Sequence, residues 1–143
     1  ANELIAAPFS IIGSIGVVAQ IPNFNKLLKN KDIDVELLTA GQYKRTITMF
    51  GENSEEGREK FQDELNAAHE IFKSYIRENR PDLNIEKVAT GEYWQATKAL
   101  ELGLIDKLGT SDDVVSQELE RNDVFKISSP KKQSLVSKLL NSF

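Results

Sequence analysis

Two residues in this sequence sit where they could do chemistry. Lys44 lies in Thr39-Ala-Gly-Gln-Tyr-Lys44-Arg45-Thr46, just after a segment that alternates like a strand. A lysine beside a glycine at a strand-to-loop transition can serve as a general base if it is withdrawn from water. Burial penalises its ammonium form. The same residues also read as a solvated Lys-Arg pair on a loop. Ser14 lies in Gly13-Ser14-Ile15-Gly16, within an apolar run. A serine in a buried strand needs a hydrogen-bond partner. The flanking glycines leave room for a second peptide backbone alongside. The plainer reading is a bulge whose serine bonds the main chain.

Composition limits what else is possible. The 143 residues fit one domain. Eighteen Lys and Arg against 22 Asp and Glu give a net charge of −4, which argues against a nucleic-acid partner. There is no cysteine, so disulfides, thiolate catalysis and Cys-based zinc sites are excluded. The single histidine, His69, excludes a His-rich metal site or a His-based triad within one chain, and it reads as a surface residue. No phosphate loop, dinucleotide fingerprint, HExxH or GxSxG is present, so no cofactor or metal is expected. Asp112-Asp113 reads as helix-start charge rather than an acid/base pair. The longest apolar stretch, Ile11 to Ile21, is broken by Gly13, Ser14, Gly16 and Gln20 and is too short to span a bilayer. No signal peptide precedes it, and a start at Ala1 reads as a fragment or a processed product.

The elements that must position Lys44 and Ser14 alternate between strand and helix. Ile11 to Val18 reads as a buried strand, and Pro22-Asn23 opens a short helix. Asp34 to Thr39 and, more weakly, Thr46 to Phe50 read as strands. The clearest helix runs from Asn53, as N-cap with Glu56 three residues on, to Asn79 before Pro81. Its apolar stripe is Phe61, Leu65, Ala68, Phe72 and Ile76, with His69 off the stripe. Asn84 caps a turn over Ile85 to Ala89. A helix from Trp94 to Leu102 ends at Gly103, with Trp94 in the core or an interface. Leu104-Ile105 seeds a strand, and Asp106 could hold a backbone turn. Ser111 caps a helix over Asp112 to Arg121, and Val124 to Ile127 reads as a last strand. The tail from Lys131 to Phe143 carries an apolar stripe beside three lysines. The alternation indicates an α/β domain.

Several of these stretches together resemble one family. They are Ala1-Asn2 through Ala7-Pro8, Gly13-Ser14-Ile15-Gly16-Val17, Asp32-Ile33-Asp34-Val35-Glu36, Thr39 to Thr46, Gly51-Glu52-Asn53, Glu56 to Phe61 and Val88 to Glu92. They resemble the signal peptide peptidase A / protease IV family, most closely its SohB-type branch. The unit from Ala96 to Gly103-Leu104-Ile105-Asp106 resembles the wider Clp protease/crotonase fold. The resemblance covers Ala1 to about Val115 and leaves 116–143 as a divergent tail.

The resemblance implies a Clp protease/crotonase-like α/β fold, with residues 1–143 forming the C-terminal half of one catalytic domain. It implies a serine endopeptidase of the cell envelope that uses a Ser/Lys dyad on signal-peptide remnants or unfolded peptides. Lys44 takes the place of the base, and Ser14 that of a serine hydrogen-bonded to it. The backbone of Gly13, Ile15, Gly16 and Val17 would pair with an extended peptide. The family's nucleophilic serine and oxyanion glycines precede its Ala-Asn segment and match no residue here. The chain is therefore expected to carry the base without the nucleophile and to be inactive alone. The family also implies homo-oligomers, and a full-length protein anchored in the bacterial inner membrane with this domain facing the periplasm. The competing reading is a non-catalytic Clp/crotonase-type assembly module. A crotonase-type acyl-CoA enzyme is a third, set back because the SohB-like segments are not crotonase features.

Overall fold

The computed structural model describes residues 2–129. They form a mixed α/β arrangement: β1 (Ile5–Ala6), β2 (Ile11–Gly13), α1 (Asn25–Lys29), α2 (Glu55–Asn79), α3 (Ile85–Val88), β3 (Tyr93–Gln95), α4 (Ala96–Glu101), β4 (Lys107–Leu108) and α5 (Ser111–Leu119). One compact unit runs through Leu108, and a second begins at Gly109 and holds α5. In the first unit β1 pairs in parallel with β4, and β2 pairs antiparallel with β3. Ala6, Ile15, Ile85, Val88, Ala89, Ala96, Ala99, Leu104 and Ile105 are buried together. Ile12, Ile76, Leu83 and Trp94 pack around them. The two alanines of α4 are fully buried. Their small side chains let that helix lie close on β2 and β3.

The strand expectations need correction. Of Ile11 to Val18 only Ile11–Gly13 is strand. Asp34 to Thr39 has no partner strand among the described residues, and Val35, Leu37 and Leu38 are exposed. Alternation becomes a strand only where a neighbour takes its N–H and C=O groups. Thr46 to Phe50 is no strand either, because its carbonyls are taken by other groups. The Asn23 amide donates to Thr48 and Gly51, the Phe24 N–H to Met49, and the Asn25 amide to Phe50. Val124 to Ile127 also has no partner strand among the described residues, with Ile127 almost fully exposed. The strand seeded at Leu104-Ile105 begins instead at Lys107, while Leu104 and Ile105 are core. Trp94 belongs to β3, and the helix after it starts at Ala96.

Helix α2 forms as expected, with two changes. Its N-cap is Ser54, whose Oγ accepts from the Gly57 N–H at 3.0 Å. Asn53 instead brackets Thr48, accepting from its N–H at 2.8 Å and donating to its carbonyl at 3.0 Å. The inward face is also rotated. Gly57, Phe61, Leu65, His69, Lys73, Ile76 and Arg80 are buried or half-buried, whereas Ala68 and Phe72 are exposed. From Gly57 to Lys73 these positions step by four, a row that winds slowly round the helix, and Ile76 and Arg80 continue it with one step of three. Polar residues on the row are held by partners. The Lys73 ammonium donates to Glu70 at 2.9 Å and Glu86 at 2.8 Å, tying α2 to α3. These carboxylates, Glu86 first, raise its pKa.

The Arg80 guanidinium grips Asp106 through both nitrogens, at 2.7 and 3.1 Å, and the Leu4 N–H donates to the same carboxylate at 2.7 Å. Asp106 therefore holds the turn into β4 beside β1, as the sequence suggests. In the second unit α5 starts one residue earlier than expected. Thr110 is its N-cap, in a reciprocal capping box with Asp113. The tail stripe from Lys131 to Phe143 lies outside the described residues.

Two outcomes follow from this packing. A Gly→Ala change in a helix interior normally stabilises by about 1 kcal/mol. At Gly57 an added Cβ would stand 2.5 Å from the Thr46 carbonyl oxygen. Gly57→Ala is therefore expected to destabilise, by roughly 1–3 kcal/mol in chemical denaturation. A gain in stability would refute this packing. The second concerns acid. Arg80 first, and then the Leu4 amide, hold the Asp106 carboxyl below its ordinary value. A depressed carboxyl stabilises the fold above its unfolded pKa of about 3.9, and the contribution is lost as pH falls through the folded value. The denaturation midpoints of wild type and Asp106→Asn should thus differ fully near pH 6 and converge below about pH 3.9. A gap independent of pH would contradict the ion pair's role.

Candidate active site

The site is built where two stretches of main chain run against each other. Ile11, Ile12 and Gly13 oppose Gln95, Trp94 and Tyr93. The Ser14 N–H continues the ladder to the Glu92 carbonyl at 2.6 Å, and Ala96 N–H reaches the Ser10 carbonyl at 2.8 Å. Antiparallel bonding alternates, so the amides of Ile11 and Gly13 face the opposite edge. Among the described residues no strand pairs with that edge.

Only glycine fits at the crossing. Gly13 has φ +121°, and a Cβ there would stand 2.7 Å from the Glu92 carbonyl and 2.9 Å from the Trp94 ring. A Cβ on Gly16 would lie 3.1 Å from Gly91 Cα, and Gly91 N–H bonds the Ile15 carbonyl at 3.0 Å. Between them Ser14 is forced to φ +57°, a conformation that L-residues with a Cβ occupy at a cost of about 1–2 kcal/mol. This kink, rather than a continuous buried strand, is what the Gly-Ser-Ile-Gly run forms. It turns Ser14 outward, where it is exposed, and Ile15 inward, where it is 6% exposed. Beside the kink is a cavity of about 320 Å³ lined by Ser14, Gly16, Val17, Val18, His69, Thr90 and Gly91. Ile15 gives its side chain to the core and its carbonyl to Gly91, so it offers this cavity nothing.

Lys44 stands on a separate loop. Its N–H closes a turn onto the Gly41 carbonyl at 3.2 Å, and its side chain is exposed. The loop is pinned to the first turns of α2. The Tyr43 hydroxyl donates to Glu56 at 3.1 Å, and the Lys60 ammonium lies 5.5 Å from the Tyr43 ring centre. The Glu56 carboxylate raises the Tyr43 pKa, because the phenolate would lose that bond and meet a like charge. Lys44 does not line the cavity beside Ser14. Among the described residues no hydrogen bond joins the two. The expected site residues thus fall into two groups. Ser14, Gly13, Gly16 and Val17 lie at or beside the kink, while Lys44 lies on the α2-anchored loop.

His69 was not expected here. It is half-buried, lines the cavity, and its Nε2 is buried with no hydrogen-bond partner among the described residues. The signal that could have revealed it is the four-residue row Gly57, Phe61, Leu65, His69 and Lys73. Among the described residues no group of three or more His, Asp or Glu side chains is placed to hold a metal ion.

Comparison with known proteins gives this arrangement its class. Residues 1–124 match peptidase family S49, and the chain belongs to that family. Relatives named SohB match the chain over most of its length. It is 48% identical over 138 residues to the probable protease SohB of Haemophilus influenzae. It is 58% identical over 127 residues to that of Buchnera aphidicola subsp. Acyrthosiphon pisum, and 63% over 115 to that of B. aphidicola subsp. Schlechtendalia chinensis. These matches take in 96%, 89% and 80% of this chain, and 39%, 38% and 38% of the three relatives. The chain thus spans about two-fifths of the length of the curated relatives it matches.

The kink's geometry carries a stability test of opposite signs. Gly13→Ala should destabilise by about 2 kcal/mol or more, since it adds both strain and a backbone clash. Ser14→Gly should leave stability unchanged or raise it by up to about 1 kcal/mol, since it relieves the left-handed conformation. Thermal melts of both variants check this. A Ser14→Gly loss as large as that of Gly13→Ala would contradict the strained geometry.

Proposed function

We propose that this chain supplies the general base and one wall of the peptide cleft of a serine endopeptidase. Its catalytic domain would have the Clp protease/crotonase-like fold, with residues 1–143 as the C-terminal part. The observation that carries the reading is the Gly13–Val17 run of an S49 family member, set on a sheet edge that has no strand beside it among the described residues. An extended peptide adds to such an edge through main-chain hydrogen bonds, and its alternate side chains enter flanking pockets.

In this reading Lys44 acts with a serine that lies outside this sequence. Neutral Nζ removes the proton from the serine Oγ as Oγ bonds the scissile carbonyl carbon. The resulting ammonium returns that proton to the leaving amine as the C–N bond breaks, which leaves an acyl-enzyme. Water then attacks the ester by the same route and regenerates the serine. Ser14 and Lys44 are not bonded among the described residues, so Ser14 orients Nζ through its hydroxyl only once the longer protein brings the Lys44 loop against the kink. A lysine works as a base only when withdrawn from water. Here Lys44 is exposed, so its desolvation comes from packing against the rest of the longer protein and against substrate. Alone, the 143-residue chain cleaves nothing. The whole protein acts on signal-peptide remnants or unfolded peptides, as a homo-oligomer held at the inner membrane with this domain in the periplasm. Among the described residues no helix is long and apolar enough to cross a membrane.

The test is substitution in the full-length protein. Lys44→Arg keeps the charge and cannot accept the proton. It should lower kcat on a casein-type substrate by about 10²–10⁴-fold with the melting temperature unchanged. Ser14→Ala should cost less, because it removes orientation and leaves the proton acceptor. Near-normal turnover by Lys44→Arg, or a larger loss for Ser14→Ala, would overturn the assignment. A wild-type protein that cleaves nothing would favour the non-catalytic assembly module.

A further inference from the structure

Acidic residues are missing from one part of this surface. Asp and Glu make up 22 of the 143 residues, yet none falls between Leu4 and Lys31 or between Leu37 and Gly51. The two acid-free runs are joined in space. The Asn23 amide donates to the Thr48 and Gly51 carbonyls at 2.9 and 3.0 Å, the Phe24 N–H to Met49 at 2.7 Å, and the Asn25 amide to Phe50 at 2.8 Å. The Phe24 and Phe50 rings stack with their centres 6.1 Å apart. Phe24, Leu27, Met49 and Phe50 are nevertheless all exposed, Leu27 by 56%. Lys26 and Lys31 are exposed on the same short helix and the turn that follows it, and neither forms an ion pair among the described residues. Lys29 does, with Glu52, and the cavity on its side of α1 takes in Asp34 as well. Asp32, next to Lys31, begins the acidic stretch that leads to that cavity. Acid therefore gathers on the Lys29 side of α1 and is absent around Leu27.

Exposed apolar side chains alone do not name a partner. Ile71 on α2 is more exposed, at 72%, but Glu70 is beside it, and Glu64 and Glu78 share its face two turns away on either side. Around Leu27 the flanking charges are lysines. Apolar groups bordered by ammonium groups suit the boundary of a bilayer, where the first sink below the headgroups and the second stay with the phosphates. A two-fold contact with a second copy would set Lys26 and Lys31 against their own counterparts. A bilayer requires no matching shape from a five-residue helix and a loop, and anionic lipids supply the negative charge this patch lacks.

We propose that this patch is a membrane-contact surface that lies on a bilayer carrying anionic phosphate headgroups. Phe24, Leu27, Met49 and Phe50 enter the headgroup boundary, and the Lys26 and Lys31 ammonium groups pair with lipid phosphates. The inference rests on the membrane placement proposed for the whole protein and is independent of the Ser/Lys chemistry.

The experiment uses the full-length protein in vesicles of phosphatidylglycerol and phosphatidylcholine, with an environment-sensitive fluorophore on Leu27→Cys. Wild type taken through the same labelling gives the background. Emission should shift to the blue and be quenched about twofold or more by a quencher carried on the lipid acyl chains. A label on Ile71→Cys should not be quenched. Leaving out phosphatidylglycerol, or adding Lys26→Glu with Lys31→Glu, should remove about half or more of the quenching at Leu27. A blue-shifted label that lipid quenchers do not reach is covered by protein, a second copy or another part of the same chain, and overturns the inference. So does a label in water, equal quenching at Ile71, or quenching indifferent to these charges. Peptide turnover, measured on the same samples, leaves the peptidase reading standing in each of these cases. A full-length protein that does not associate with the vesicles overturns the proposed membrane placement, and this inference with it. Should Leu27→Cys fail to fold, Met49→Cys, 40% exposed in the native chain, carries the same test.

Discussion

The close crossing of two backbones, at Gly13–Gly16 and Gly91–Trp94, is the constraint on which the rest depends. A Cβ at Gly13 or Gly16 would be crowded there. Gly13 lies against the Glu92 carbonyl and the Trp94 ring, and Gly16 against Gly91 Cα. The hydrogen bonds through Ser14 and Ile15 lock the two stretches together. The crossing sends Ile15 into the core and turns Ser14 out. It also seats α4, whose N-terminal Ala96 bonds the Ser10 carbonyl as the ladder ends. Core and cavity wall thus share a single backbone feature, so a change that loosens one moves the other.

Helix α2 distributes that rigidity. Along its inward row each residue meets a different part of the unit. Gly57 admits the Thr46 carbonyl, His69 borders the cavity, Lys73 binds Glu86 on α3, and Arg80 clamps the turn before β4. The loop bearing Lys44 is tied to the start of the same helix through Tyr43 and Glu56. The helix therefore fixes the Lys44 loop near one end and the cavity wall near its middle. Much of this row is polar, so the helix is held as much by specific pairs as by apolar area. The pairing of Lys73 with two carboxylates is what makes its burial tolerable.

The chemistry proposed for Lys44 and the geometry described for Ser14 have different physical requirements. A cleft wall needs only a fixed backbone, and the kink supplies that from within this chain. A lysine base needs a dry surrounding, and an exposed loop does not provide it. Membership of family S49 and a span of about two-fifths of its relatives fit this division. The strand-like segment at Asp34 to Thr39, unpaired among the described residues, likewise needs a neighbour for its exposed valine and leucines.

By itself the sequence determined the family, the long helix with its Pro81 boundary, the cap at Asn84, and the importance of the Gly-Ser-Ile-Gly run. These follow from local rules: capping chemistry, the missing N–H of proline, glycine's freedom, and matching residues at matching spacing. Only the tertiary structure decided which alternating segments became strands, because a strand exists through its partner and the partner is remote in sequence. It alone showed Trp94 in a strand and Ile5–Ala6 as one. It also turned α2 so that His69 and Lys73 face inward and Phe72 outward. A stripe chosen by hydrophobicity cannot anticipate that, because a polar side chain faces inward only when distant residues supply its partner or leave a cavity beside it. Lys73 has its partner in Glu86, thirteen residues away, and His69 has the cavity.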